Sequence, residues 1–366
     1  MKEQGGSVDA PRDAGKPDAR DDGAALQLDL FGGAPQRVAY AVKQRSAGGA
    51  DAASPVEPAA PSAEHLALAE QLPAGLRLGT SSWSFPGWKG IVYGAGATQA
   101  RLARSGLAAY ARHPLLRTVG LDRTYYAALR AEDYAAYADQ VPPGFRFLVK
   151  APEALTIARY PTHERYGARQ GTDNATFLDA SWAEDTLVGP ACEGLGDALG
   201  VILFQMPPQP AWALGGRERF AERLERFLCA LPAGPVYAVE LRTEQLLGDA
   251  YAQALASAGA VHCFNVHPTM PDVALQAATI DPSRAPALVV RWMLGGDQRY
   301  EAARERYRPF DALVDEDPGA RGAIADLCAD AVRRERPAYC VINNKAEGSA
   351  PLSAFKLAAA IVERLL

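Results

Sequence analysis

Apolar positions are sparse up to about Leu72 and then recur in short runs separated by longer segments of helical period. Eight runs are apolar without strict alternation, the pattern of parallel strands covered on both faces: 77–83, 118–122, 146–150, 200–205, 236–242, 261–266, 287–292 and 339–344. Between them apolar residues return every three or four positions. Phe220, Leu224, Phe227, Leu228 and Leu231 form one such stripe, Tyr134, Tyr137 and Val141 a second, and Phe355, Ala358, Ile361, Val362 and Leu365 a third. Eight strand and helix units within residues 76–366 predict an α/β fold, a TIM-like (β/α)8 barrel, with an open doubly wound sheet as the alternative. Residues 151–199 are too many for one crossover helix. They are expected to hold an extra loop over 160–171, placed as a lid or binding element, and a helix starting near Asn174.

Residues 1–75 are rich in Ala, Pro, Gly and Asp and bury too little apolar surface to offset the entropy of ordering, so a disordered tail is expected there. One apolar island, residues 26–31, interrupts it. Charge follows the same division. The chain carries a net charge of −5, and residues 1–75 hold 7 Lys and Arg against 11 Asp and Glu, so the barrel is nearly neutral. No large basic excess supports tight, unaided binding of duplex DNA. The five cysteines lack any CxxC spacing and read as reduced thiols of a cytoplasmic protein. Neither a signal-peptide core nor an apolar stretch of the ~18 residues that span a membrane is present.

Chemistry in a parallel barrel gathers at the C-terminal ends of the strands. Polar residues end nearly every apolar run: Ser81, Ser82 and Trp83; Asp122; Lys150; Gln205; Glu240 and Arg242; Asn265 and His267; Arg291; Asn343 and Asn344. A shared pocket is the reading. Lys150 is a candidate Schiff-base former, a cation for an anionic substrate, or the partner of a carboxylate. Glu240 and Arg242 lie two apart and face the same way, either as an interior salt bridge or as a general base beside an oxyanion or phosphate clamp. Arg291, Asn343 and Asn344 follow the seventh and eighth runs, where barrels often bind phosphate on loop N–H groups and a helix N-terminus. Gly348 and Ser349 then open a helix, with Ser349 as its N-cap. Trp83 and Tyr125 are either core packing or a stacking wall for a sugar or base.

The absent motifs narrow the class. No GxSxG, GxxxxGK[ST] or GxGxxG segment is present, which argues against serine hydrolases, nucleoside triphosphatases and dinucleotide-binding enzymes. HxH, HExxH and paired-Asp spacings are also missing, so neither a metal nor another cofactor is expected. His113 and His262 read as packing residues; His163 falls in the long loop and His267 after the sixth run. The reading is a barrel of hydrolase or isomerase type acting on a small anionic or phosphate-bearing ligand, with Glu240 and Lys150 as the catalytic pair.

The segments GTSSWSFPGWKGIVYG, VGLDRTYYA, GFRFLVKAP, LGVILFQMPP, YAVELR and VINNKAEGSAP, in this order, resemble the YecE-like family, domain of unknown function 72. The resemblance covers about residues 76–366 and implies a TIM-like barrel with no established activity. It departs from the family at Asp122, at Tyr125-Tyr126, over 243–246 and over 292–295, while Lys150, Gln205, Glu240, Arg242, Arg291 and Asn344 keep their places. In the tail, Gln27, Leu28, Asp29, Leu30 and Phe31 resemble the pentapeptide that docks bacterial replication and repair proteins on the DNA sliding clamp. Leu30 and Phe31 would anchor in an apolar pocket and Gln27 would bond at its rim. A DNA-maintenance accessory role, with a barrel that senses a nucleotide or DNA end, is the alternative reading.

Overall fold

The computed structural model describes residues 55–295 and 300–366. Gln27, Leu28, Leu30 and Phe31 lie outside the described residues. Eight parallel strands close into a barrel in sequence order: β1 (Leu76–Thr80), β2 (Leu116–Leu121), β3 (Arg146–Lys150), β4 (Leu199–Gln205), β5 (Val236–Glu240), β6 (Val261–Val266), β7 (Leu288–Trp292) and β8 (Ala338–Ile342). β8 pairs with β1, which removes the sheet edges and excludes the open sheet.

Period two along each strand divides the core. Leu148, Val201, Leu203, Ala238, Val261, Cys263, Val289, Tyr339 and Val341 form one cluster, the packed barrel interior. Their neighbours Phe147, Ile202, Phe204, Val239, Phe264, Val290 and Ile342 belong to the larger cluster shared with the surrounding helices. Lys150, Gln205, Glu240, Asn265 and Arg291 each stand two residues beyond an interior residue. The alternation that buries Leu148, Leu203, Ala238, Cys263 and Val289 therefore sends these five polar side chains into the same barrel at its C-terminal end.

The helical stripes pack as their period demands. Phe220, Leu224, Phe227 and Leu228 are buried on the helix Arg217–Cys229, and Phe355, Ala358, Ile361 and Val362 on the helix Ala350–Leu365.

Two boundaries differ from the sequence pattern. Folded chain is present before residue 76, because a helix over Ala63–Gln71 packs on the barrel. The Ser62 hydroxyl accepts its first free N–H from His65 at 3.1 Å, and Val56, Ala59, Leu68 and Leu72 are buried. The Arg117 guanidinium closes its far end by donating to the carbonyl oxygens of Ala69 and Leu72 at 2.9 and 3.2 Å. In the β3–β4 connection the helix begins at Ala180, not near Asn174. Asn174 instead closes the long loop: its amide donates to Ala154 O and Ile157 O at 2.7 and 2.6 Å. Ile157, Tyr160 and Tyr166 give that loop a small core of its own.

Among the described residues no helix is long and apolar enough to cross a membrane. The five cysteines are free thiols, three of them buried.

Candidate active site at the barrel mouth

β5 ends on Glu240, whose carboxylate lies between two guanidinium groups. Oε1 pairs with Arg242, and Oε2 meets Arg291 Nη1 at 2.5 Å. Arg291 reaches further. Its Nη1 donates to Gln205 Oε1 at 3.1 Å, and its Nη2 stands 3.6 Å from Asp122 Oδ1. Side chains from β4, β5 and β7 and from the turn after β2 thus converge on one point. Glu240, Gln205, Arg242 and Arg291 are all within about 1% of complete burial.

The turn after β2 is tied to the end of β3. Thr124 Oγ1 donates to Leu121 O at 2.6 Å and bonds Lys150 O as well. That bond sets Tyr125 over Lys150, with the ammonium nitrogen 3.8 Å from the ring centroid, a cation–π contact shielded from water. The β4 loop is pinned in turn to the β3 loop, where Gln209 accepts from Ala158 N at 2.5 Å and donates to Thr156 O at 3.0 Å.

Burial and charge set the protonation states. Lys150 is pushed down to about 7 by loss of solvation, with Arg291 and Arg242 adding to the shift and Asp122 and Glu240 opposing it. Burial alone would raise Glu240, but Arg242, Arg291 and Lys150 outweigh it and hold its carboxyl below the usual range. A carboxylate bound by two guanidinium groups is a weak base. Burial also lowers Arg242, to about 10. His267 stays neutral because burial and the charges of Arg242 and Arg291 disfavour the imidazolium.

Two guanidinium cations and a lysine that titrates near neutrality therefore face two carboxylates. Among the described residues, Gln205 Nε2, Arg242 Nε and Nη1 and Arg291 Nε are buried donors without a hydrogen-bond partner. Each such donor costs on the order of 1–3 kcal/mol if nothing accepts from it. The arrangement suits an anion with several acceptor oxygens.

The remaining residues singled out in the sequence take other places. Trp83 Nε1 donates to Leu102 O at 3.0 Å, and its ring packs edge-on against Tyr137. Asn344 Oδ1 accepts from Trp88 Nε1 at 3.3 Å and from Ala350 N at 2.8 Å, so Asn344 caps the last helix. Ser349 occupies the N-cap position, but its hydroxyl makes no capping bond. Gly348 has a φ of +120°, and a Cβ there would stand 2.5 Å from Ala312 O. Only glycine fits so close an approach. Asn343 Oδ1 accepts from Lys345 N at 3.0 Å and from Lys345 Nζ at 3.3 Å.

Lys345 was not evident from the strand pattern. It is pushed down to about 7 by burial and by Arg304, with Glu301 and Asp122 opposing. Asp122 is thus a shared neighbour of Arg291, Lys150 and Lys345. Beyond residue 76 the chain has four lysines, Lys89, Lys150, Lys345 and Lys356, and two of them stand near this carboxylate. That scarcity, in a body that otherwise uses arginine, was the available signal.

His262 lies outside the barrel interior, bonded through Nδ1 to Tyr251 and through Nε2 to Gln276, and is structural. Among the described residues no group of three or more His, Cys, Asp or Glu side chains is placed to hold a metal ion.

The family model described as a protein of unknown function, DUF72, matches residues 77–365. Two solved structures share the fold. A DUF72 family protein from Enterococcus faecalis V583 is 16% identical, with 79% of this chain and 95% of that one covered and a TM-score of 0.50. Another from Thermotoga maritima MSB8 is 21% identical, with 77% and 97% covered and a TM-score of 0.52. None of the curated proteins matches the chain.

Proposed function

The chain belongs to the DUF72 family of proteins of unknown function, and from its site we propose that it is a barrel enzyme that binds a small phosphate- or carboxylate-bearing anion at the C-terminal mouth. The observation that carries this reading is the convergence of buried, unpartnered donors on Gln205, Arg242 and Arg291. Glu240 is the anchor of this group. Its two ion pairs fix the guanidinium planes and leave Arg242 Nε and Nη1 for the ligand. Lys150 supplies the third positive charge and the proton carrier. An amine poised near neutrality exchanges a proton with bound substrate at physiological pH, as hydrolysis or isomerisation of such an anion requires. Tyr125, over the ammonium, excludes water from it.

Calorimetric titration with inorganic phosphate tests the reading. Wild-type protein binds it, and Lys150→Met weakens binding tenfold or more. Equal affinity in both removes Lys150 from the site. Failure of the wild type to bind phosphate, acetate or sulfate removes the anion site altogether.

A further inference from the structure

At the C-terminal end of β6 a cleft of about 570 Å³ opens between the turn after β6 and the start of the helix Pro318–Arg333. Val266, Met270, Val273, Ala320 and Ala323 give it apolar walls, and His267 forms part of its lining. Its volume is that of a small-molecule site.

His267 links the cleft to the mouth: it lies two residues beyond Asn265, which is the register partner of Arg291 on β7 and donates to Leu241 O, next to Arg242, at 3.2 Å. Its two protein contacts both use Nδ1. Thr269 N donates to that nitrogen at 3.2 Å, and Thr269 Oγ1 stands 2.8 Å away. Accepting from a backbone N–H requires the Nδ1 lone pair, so the neutral ring carries its proton on Nε2 and offers a donor there.

Two carboxylates also line the cleft, and both are spent on helix caps. Asp272 Oδ1 accepts from Leu275 N at 2.8 Å, and Asp317 Oδ1 from Ala320 N at 2.9 Å. They repel negative charge within the cleft. An anionic group is therefore directed to the arginines and an uncharged apolar group to the cleft.

We propose that the ligand is amphipathic: an aryl or alkyl phosphate or carboxylate whose anionic head meets Arg242 and Arg291, whose adjoining oxygen accepts from His267 Nε2, and whose apolar body fills the cleft. This rests on the anion site above and adds the class of substituent that the anion carries.

Titrations of inorganic phosphate and phenyl phosphate separate the two readings. Wild-type protein binds phenyl phosphate at least tenfold more tightly than phosphate. Ala323→Leu and, independently, Ala320→Leu fill the cleft and bring that ratio toward one; His267→Phe lowers it severalfold through loss of the donor. Using the ratio within each variant cancels any general loss of folded protein. If the wild-type ratio is near one, the amphipathic inference fails and the anion site stands. If neither compound binds, both fall. A high ratio that survives both cleft-filling variants places the apolar body elsewhere and overturns the inference.

Discussion

Glu240 Oε2 and Arg291 Nη1 meet at 2.5 Å inside the barrel, joining β5 to β7 across its C-terminal layer. Both side chains are fully buried. Removing one partner leaves the other's charge uncompensated, which costs about 3–5 kcal/mol in a buried pair. Glu240→Gln is therefore expected to lower the midpoint of denaturant unfolding markedly, by a free energy in that range. A variant as stable as wild type would return Glu240 to the role of a free general base.

Lys150→Met is expected to act in the opposite direction at neutral pH. The lysine's folded-state value of about 7 lies below its ordinary 10.5, so the charged form opposes folding. The penalty is full below pH 7 and is relieved as pH rises from 7 to 10.5, at roughly 1.4 kcal/mol per unit. The methionine variant should unfold at a higher temperature than wild type at pH 6, and the gain should shrink toward pH 10. A gain independent of pH would show that packing, not charge, is responsible.

Anion binding should carry the same titration. Protonated Lys150 contributes its charge below about pH 7, so phosphate affinity in the wild type falls as pH rises through that value. The fall persists in Lys345→Met, where Lys150 is unchanged. In Lys150→Met the Lys150 share disappears. Calorimetry between pH 5.5 and 9 at constant ionic strength reads these differences, provided the phosphate's own ionisation is corrected by a parallel series with sulfate.

Asn344→Ala separates capping from binding. It removes the acceptor of both Ala350 N and Trp88 Nε1, so a stability loss of about 1–2 kcal/mol is expected, with phosphate affinity within twofold of wild type. A large loss of affinity in a folded variant would place Asn344 at the anion.

The barrel was legible because eight apolar runs and their helical spacers leave few alternatives, and the mouth was legible because period two carries inward facing past the last apolar residue. Lys150, Gln205, Glu240 and Arg291 stood out as polar residues at the ends of apolar runs, and the alternation along the strands turns them inward. The helix over Ala63–Gln71 escaped because its residues are mostly Ala, Glu and Gln, and only Leu68 within it is buried; Leu72 lies just past its end. Its place depends on Arg117 and on the barrel wall, which are distant in sequence. Which residue caps the last helix was equally hidden. Ser349 stands at the right position, yet the fold delivers the Asn344 amide oxygen to Ala350 N instead. The protonation states of Lys150 and His267 depend on burial and on charges from other strands, so no local pattern announces them.

A crystal structure of the protein soaked with tungstate, a strongly scattering analogue of phosphate, tests the anion site most directly. Tungstate oxygens are expected at hydrogen-bond distance, about 2.7–3.2 Å, from Gln205 Nε2 and Arg242 Nε, with Glu240 still paired to Arg291. Tungstate bound at surface arginines or at the start of the last helix, with the mouth unoccupied at saturating concentration, would contradict the account.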